Sequence, residues 1–172
     1  MMLDFHNKSI SSNPPINLVK ARFSDFKFLE EVSHLEMDHV VSQSWNWRSW
    51  FEDLKKAIIG NLYYHKVFII EVEQGCVGYL WLNEEKNSLW VTAIVLQAEF
   101  QRRGIGQQIM NFLIEESRKE GKENIELGVQ NNNIAALSFY SNLGFKKFDY
   151  VKSANTDLFR LKLSSSKDQL YW

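Results

Sequence analysis

Residues 96–106 read LQAEFQRRGIG and lie between a stretch rich in β-branched residues and an amphipathic segment. This pattern predicts a strand, a short loop and the first turn of a helix. A helix begins with free backbone N–H groups and the positive end of its dipole. Gly104 and Gly106 have no Cβ to obstruct an approaching anion, and Arg102 and Arg103 add positive charge. The stretch predicts a phosphate site, although a glycine-assisted turn with two solvated arginines would have the same sequence.

Two other phosphate-binding loops are disfavoured by the sequence around these glycines. A dinucleotide-binding loop needs a third glycine, and Ile109 stands at that position. It also needs an acidic residue at the tip of the next strand, where Val129 and Gln130 stand here. A Walker loop needs Gly-Lys-Ser/Thr, which does not follow Gly104. A nucleotide-binding protein with a degenerate loop stays open as an alternative.

Hydrophobic periodicity predicts the element order βααβββαβαββ, which is typical of an α/β fold (α+β with a mixed sheet). The predicted strands cover residues 16–23, 67–73, 76–82, 88–96, 124–129, 145–151 and 157–163. The first two helices are predicted to begin at Ser24 and Ser44, and the later two cover residues 104–120 and 134–142. We expect an N-terminal arm at residues 1–15, a single domain at 16–163 and a C-terminal tail at 164–172.

Composition narrows the functional classes. The 172 residues include 20 Lys and Arg against 21 Asp and Glu, a net charge of -1. This balance does not favour binding to nucleic acid or to an anionic membrane, and the apolar runs fall short of the ~20 residues of a membrane span. The single cysteine, Cys76, excludes an intrachain disulfide, and we expect it to be a buried thiol. The four histidines are scattered, so no metal is expected, and a cytoplasmic location fits best.

A second informative stretch, residues 133–145, reads NIAALSFYSNLGF. With the loop at 96–106, it resembles the GNAT N-acetyltransferase superfamily. The loop matches the family pattern Arg/Gln-x-x-Gly-x-Gly/Ala, and the second stretch matches Asn-x-x-Ala-x-x-x-Tyr-x-x-x-Gly-Phe. The specific match covers residues 88–145.

The resemblance implies a GNAT-like fold, with a mixed sheet splayed between the strands at 88–96 and 124–129. It implies acetyl-CoA as the acyl donor, with its pyrophosphate on the backbone N–H groups of one loop. Those groups belong to Arg102, Arg103, Gly104, Ile105, Gly106 and Gln107. Backbone groups of Ile94, Val95 and Leu96 would bind the acetyl and pantetheine portions. The N–H of Leu96 would polarise the thioester carbonyl.

The resemblance also assigns two side chains. Asn133 matches the residue that contacts the pantetheine arm, and it would serve equally as an ordinary N-cap. Tyr140 lies two helical turns further on and shares the face of Asn133. It matches the tyrosine that protonates the departing CoA thiolate. Its alternative role is that of a half-buried aromatic that holds the helix to the sheet.

The general base is not identified by the sequence. Some members that acetylate peptide N-termini have a glutamate where Gly128 stands, and Glu126 is shifted along the same strand. A water chain remains open, as do four loop residues, Glu36, His39, Glu84 and Glu85. The acceptor site is implied at residues 36–39 and 44–50, and aromatic residues that could contribute to it are Trp45, Trp81 and Trp90.

These features predict an acetyl-CoA-dependent N-acetyltransferase. Its acceptor would be an amine of a small molecule or peptide, which attacks the thioester directly in a ternary complex. The alternative is a non-catalytic acyl-CoA-binding sensor on the same fold. We expect no nucleic-acid or membrane partner, and we leave open whether the chain forms a homodimer.

Overall fold

The computed structural model describes residues 7–12, 14–37, 46–60 and 64–163. The strands are β1 (Lys8–Ile10), β2 (Ile16–Lys20), β3 (His65–Val72), β4 (Gly75–Glu84), β5 (Ser88–Leu96), β6 (Asn124–Gln130), β7 (Lys146–Val151) and β8 (Thr156–Lys162). The helices are α1 (Phe26–Met37), α2 (Trp47–Ile59), α3 (Ile105–Lys119) and α4 (Ile134–Asn142).

The strands form one mixed sheet in the order β1-β2-β3-β4-β5-β6-β8-β7. Neighbouring strands are antiparallel throughout except for β5 and β6, which run parallel. The predicted element order is confirmed from β2 onward. β1 was not predicted: it lies within the stretch expected to be an arm, pairs antiparallel with β2, and buries Ile10 in the core.

Strand alternation gives the sheet two apolar faces, because successive side chains of a strand point to opposite sides. On β3, Phe68 and Ile70 join the larger core cluster, which also contains the buried residues of α3. Val67 and Ile69 join the second cluster, with the buried residues of α1 and α2. The helices therefore cover both faces of the central strands. β5 and β6 lie in the middle of the sheet, between the two layers of helices.

Local signals set several helix ends. Gly144 has a φ of +90°, which suits the predicted C-terminal glycine of α4. The start of α2 predicted at Ser44 lies outside the described residues. The described N-cap is Asn46, whose Oδ1 accepts a hydrogen bond from the Ser49 N–H at 3.0 Å.

The expectation for Cys76 is wrong. Its side chain is exposed, because Cys76 follows the turn at Gly75 at the start of β4. Its Sγ lies 3.8 Å from a carboxylate oxygen of Glu71. Within the described ranges, no helix is both long enough and apolar enough to cross a membrane.

Candidate active site

The central feature of the sheet is a cleft where β5 and β6 separate. The parallel ladder runs from the pair Ser88 and Asn124 to the pair Val91 and Leu127, and then ends. At the same point the register of β5 against β4 shifts, which leaves Thr92 as an extra residue between Val91 and Ala93. A bulge of this kind bends its strand. The splayed sheet is confirmed, and the gap opens into a cleft of about 810 Å³.

The cleft brings together most of the residues predicted for the site. Those that line it are Ile94, Val95, Leu96, Arg102, Gly104, Gly106, Gln107, Asn133 and Tyr140. Two predicted residues do not line it. Ile105 is buried in the larger core cluster, and the guanidinium carbon of Arg103 lies 5.3 Å from the ring centre of Phe100. Only their backbone N–H groups remain candidates for ligand contact.

At the end of β5, backbone groups alternate between β4 and the cleft. The N–H of Gln97 donates to the carbonyl of Val77 at 2.9 Å. Adjacent residues of a strand turn their backbone groups to opposite sides, so the N–H and carbonyl of Leu96 point toward the cleft. The carbonyl of Val95 faces β4 so closely that a Cβ on Gly78 would lie 2.0 Å from its oxygen. The Leu96 carbonyl accepts a hydrogen bond from Nε2 of Gln101 at 2.8 Å. Of the last two residues of β5, only Leu96 therefore presents a backbone N–H to a ligand.

The loop between β5 and α3 presents a set of unused donors. Gly104, the N-cap of α3, has a φ of +80°, and Arg102 has a φ of +57°. The first backbone N–H to close the helix is that of Gln108, which donates to the Gly104 carbonyl at 3.0 Å. In the described part of the chain, no acceptor is found for the N–H groups of residues 102–107. A Cβ on Gly104 would meet only a Gln108 side-chain atom, at 3.6 Å, so the space beside it is open.

These donors fit a phosphate group. Free N–H groups at a helix start, the positive dipole end and a nearby arginine all favour a bound anion. An oxygen-rich diphosphate could satisfy several of these N–H groups together, which no protein group in the described ranges does. The chemistry of the loop therefore matches the pyrophosphate of CoA.

Tyr140 lies on α4, at the opposite wall of the cleft. Its ring makes edge contacts with Phe139 and Phe145, at centroid distances of 4.9 and 5.7 Å. No hydrogen bond from its hydroxyl is found to any described residue, so the O–H is available to a ligand. Burial raises the pKa of Tyr140 to about 12. The phenol therefore stays protonated at neutral pH, which a hydrogen-bond donor or an acid requires.

Asn133 caps α4, as one of its two predicted roles requires. Its Oδ1 accepts a hydrogen bond from the Ala136 N–H at 3.1 Å. Its side chain also lines the cleft, so a ligand contact through Nδ2 is compatible with the cap.

The structure separates the candidate bases. Glu84 is 3% exposed and forms ion pairs with Lys66 and Lys122 at 2.9 and 3.0 Å, away from the cleft. Glu85 accepts a hydrogen bond from the Ser88 hydroxyl. Glu126 is paired with Arg160 on the neighbouring strand β8.

Glu36, at the end of α1, is the one carboxylate that lines the cleft among the described residues. His39 lies outside those residues, as does Trp45. No group of three metal-ligating side chains is found in the described part of the chain.

A side chain at position 128 would force a neighbouring side chain on β8 to shift. A Cβ on Gly128 would lie 2.9 Å from Cγ2 of Thr156 and 3.6 Å from Cδ2 of Leu158, both on β8. All three residues line the cleft. The position at which the resemblance would place a glutamate base is thus held by a glycine packed against the methyl group of Thr156.

The aromatic residues divide between core and cleft. Trp90 on β5 lines the cleft. Trp81 is buried, with its ring 5.2 Å from that of Trp50, and its Nε1 donates to Nδ1 of His65 at 3.1 Å. Trp50 is 4% exposed and closes the cleft from the side of α2. Trp81 is therefore a core residue, whereas Trp90 can contact a ligand.

The contacts of Gln101 are not predicted by the sequence. Gln101 is the first position of the loop motif, but its side chain turns back toward β5 and α1. Its partner Glu36 lies 65 residues earlier in the chain, so no local pattern indicates the contact.

Comparison with known proteins agrees with this geometry. The family described as "Acetyltransferase (GNAT) family" matches residues 27–145, which include both motifs and most of the residues that line the cleft. The chain belongs to the GNAT acetyltransferase family.

Two curated relatives illustrate the range of similarity. An uncharacterized N-acetyltransferase of Methanocaldococcus jannaschii is 28% identical over 144 residues, which is 79% of this chain and 62% of the relative. The [ribosomal protein bS18]-alanine N-acetyltransferase of Salmonella typhimurium is 37% identical over 54 residues, which is 31% of this chain and 36% of the relative. The matches thus span less than two thirds of each relative.

Solved structures share the fold at low identity. PaiA N-acetyltransferase from Thermoplasma acidophilum, in complex with coenzyme A, superposes with a TM-score of 0.71 at 20% identity, over 86% of this chain and 98% of that one. Spermidine N-acetyltransferase from Vibrio cholerae, in complex with CoA and spermine, gives 0.66 at 18% identity, over 90% and 98%. These likenesses confirm the GNAT fold.

Proposed function

We propose that this protein transfers the acetyl group of acetyl-CoA to an amine of a small molecule or peptide. One observation carries the proposal. A single cleft joins the N–H groups at the start of α3, the N–H of Leu96 and the hydroxyl of Tyr140. Among the described residues, neither the N–H groups at the start of α3 nor this hydroxyl has a hydrogen-bond partner. An anion site, a carbonyl-polarising donor and a proton donor are the three functions that transfer from a CoA thioester needs.

Acetyl-CoA would bind with its pyrophosphate at the loop. The backbone N–H groups of Arg102, Arg103, Gly104, Ile105, Gly106 and Gln107 would donate to it. The pantetheine arm would follow β5 past Asn133 into the cleft, where Ile94, Val95 and Leu96 form the wall of β5. The acetyl group would then lie beside the N–H of Leu96.

The transfer itself would be direct. The amine nitrogen bonds to the carbonyl carbon while the N–H of Leu96 stabilises negative charge on the oxygen. The C–S bond then breaks, and the CoA sulfur takes a proton from the hydroxyl of Tyr140. The new amide releases its extra proton to water, and Tyr140 regains a proton from solvent. Much of the rate would come from holding both reactants in place.

The acceptor must reach the thioester as a neutral amine. An alkyl amine with a pKa near ~10.4 is neutral in about one molecule per thousand at pH 7, a handicap of ~4–5 kcal/mol. Entry into the apolar part of the cleft would lower the pKa of the amine, because burial disfavours its charged form. An α-amine, with a pKa near ~8, needs less help.

The names of the relatives support an amine acceptor of either kind. One relative is named for an alanine of ribosomal protein bS18, and one structural neighbour is a spermidine N-acetyltransferase. The testing experiment is a panel of peptide α-amines, polyamines and lysine-type amines, with release of the free CoA thiol as the readout. Thermal shift with acetyl-CoA, ATP and NAD separates this proposal from nucleotide binding.

A second candidate function is a non-catalytic acyl-CoA sensor. The observation that favours it is the methyl group of Thr156 beside Gly128, which blocks a carboxylate at that position. A sensor would bind acetyl-CoA in the same cleft but release no thiol with any amine of the panel.

A further inference from the structure

The side chain of Gln101 does not face the loop donors but ties together two other elements. Its Nε2 donates to the carbonyl of Leu96 at 2.8 Å and to Oε2 of Glu36 at 2.9 Å. Gln101 lies just before the phosphate loop, and Leu96 is the last residue of β5. The side-chain amide of Gln101 therefore connects the end of β5 with the end of α1.

The other oxygen of Glu36 holds the same loop at a second point. Its Oε1 accepts a hydrogen bond from the backbone N–H of Ala98 at 3.0 Å. The carboxylate thus accepts hydrogen bonds from both Ala98 and Gln101, which are three residues apart. Both residues lie between the end of β5 and the phosphate loop. Hydrogen bonds to an ionised acceptor are shorter and stronger than neutral ones. The carboxylate can therefore fix Gln101 in one orientation.

We propose that Glu36 is a positioning residue for the acetyl group. It holds the amide of Gln101 against the Leu96 carbonyl and thereby fixes the peptide unit between Leu96 and Gln97. This unit is joined through the Cα of Leu96 to the unit that carries the Leu96 N–H, so fixing it limits the rotation of that N–H. This inference rests on the proposed function, in which the N–H of Leu96 polarises the thioester carbonyl. Glu36 acts through Gln101 and need not touch either substrate.

The geometry explains why a carboxylate is needed at position 36. Ala98 and Gln101 both present N–H donors, so the residue between them must accept twice. A glutamine at position 36 has one acceptor oxygen, and its NH₂ group would face a donor. Of the two hydrogen bonds that residue 36 accepts, one from the Ala98 N–H and one from Nε2 of Gln101, at most one would then remain.

Glu36 also lines the cleft, so it could instead bind a cationic acceptor directly. The two roles differ in what they change. A positioning residue affects the reaction of every acceptor and the binding of the acetyl group. An acceptor-binding carboxylate affects only the KM of positively charged acceptors.

The test combines Glu36→Gln, Glu36→Ala, Gln101→Ala and the double variant Glu36→Ala/Gln101→Ala. The control is Glu31→Gln, an exposed carboxylate on the same helix. Calorimetry measures the affinities for acetyl-CoA and CoA, and thiol release gives kcat and the KM of a neutral and a cationic acceptor. We expect kcat to fall about tenfold in each Glu36 variant, with the preference for acetyl-CoA over CoA reduced and the KM of the acceptors unchanged. The effect of the double variant should be clearly smaller than the product of the two single effects, because Glu36 acts on Leu96 through Gln101.

Three results would overturn the inference: additive effects of the two alanine changes, an effect confined to the KM of cationic acceptors, or no change in any variant. If Glu36→Ala does not fold, Glu36→Gln carries the same comparison. A wild-type protein that releases no thiol with any amine contradicts the proposed function instead. The ratio of acetyl-CoA to CoA affinity would still test the positioning role of Glu36 in that case.

Discussion

Val91 of β5 and Leu127 of β6 form the last pair of the only parallel ladder in the described sheet. Immediately beyond this pair, Thr92 is left out of the register between β4 and β5. A bulge of this kind bends its strand, and here it coincides with the point where the pairing of β5 with β6 stops. The cleft opens beyond this point, and the loop donors and Tyr140 lie along it.

Replacing Tyr140 by phenylalanine should lower turnover by about 10²-fold, the lower end of what a general acid contributes. A phenol with a pKa of about 12 is a weak acid toward a thiolate near ~8.5, so we expect no larger effect. The ring contacts with Phe139 and Phe145 remain, and the hydroxyl has no described partner to lose. Steady-state kinetics, acetyl-CoA calorimetry and a melting curve check this. Unchanged turnover with a good acceptor would make Tyr140 a packing residue.

Gly104→Val should abolish most of the affinity for CoA. The new side chain would occupy the open space where the pyrophosphate is proposed to bind. The positive φ of residue 104 would add strain of about 1–2 kcal/mol to a valine. Gly121→Val is the matched control. Gly121 follows the other end of α3 with a φ of +71° and open space around it. Both variants should lose similar stability in urea, but only Gly104→Val should lose CoA affinity. Near-native affinity in Gly104→Val would contradict the site.

The rate should rise with pH and show no descending limb up to about pH 10. The rise comes from deprotonation of the acceptor amine, and the limb is absent because burial raises the pKa of Tyr140 to about 12. An unperturbed tyrosine, with a pKa of ~10, would begin to lose its proton near pH ~9 and would be half deprotonated at pH ~10. The measurement is kcat/KM against pH for wild type and Tyr140→Phe. A descending limb near pH 9 that disappears in the variant would show that Tyr140 titrates in its ordinary range.

His65 should make stability depend on pH in the acidic range. Burial lowers the pKa of His65 below its ordinary value of 6.5, and its neutral Nδ1 accepts the hydrogen bond from Trp81. The unfolded chain binds the proton more readily, so this stabilisation is present above pH 6.5 and is lost as the pH falls through the lower folded-state pKa. Urea unfolding at pH 7.5 and 5.5 should show a larger loss for wild type than for His65→Gln. Equal losses would exclude the linkage.

Much of the fold and of the donor site could be predicted because their causes are local. Gly104 and the free N–H groups beside it belong to the start of α3, and the Asn133 cap belongs to the start of α4. Both can be predicted from a few neighbouring residues. The contact of Thr156 with Gly128 and the bond of Gln101 to Glu36 join residues distant in sequence. The periodicity of a sequence does not indicate which distant residues come into contact, so these two pairs could not be predicted.

Two further features escaped prediction for related reasons. The three residues of β1 are too few to show alternation, and their pairing with β2 is a tertiary contact. The unpaired Thr92 lies inside a strand whose bounds were predicted correctly, because a bulge changes the register and not the composition.

Acetyl transfer is tested most directly by the amine panel with acetyl-CoA, followed by free-thiol release and by mass spectrometry of the acceptor. We expect at least one class of amine to gain one acetyl group for each thiol released, and Tyr140→Phe to slow both together. Tight binding of acetyl-CoA, without thiol release or acetylated product from any of these amines, would contradict acetyl transfer and favour a sensor.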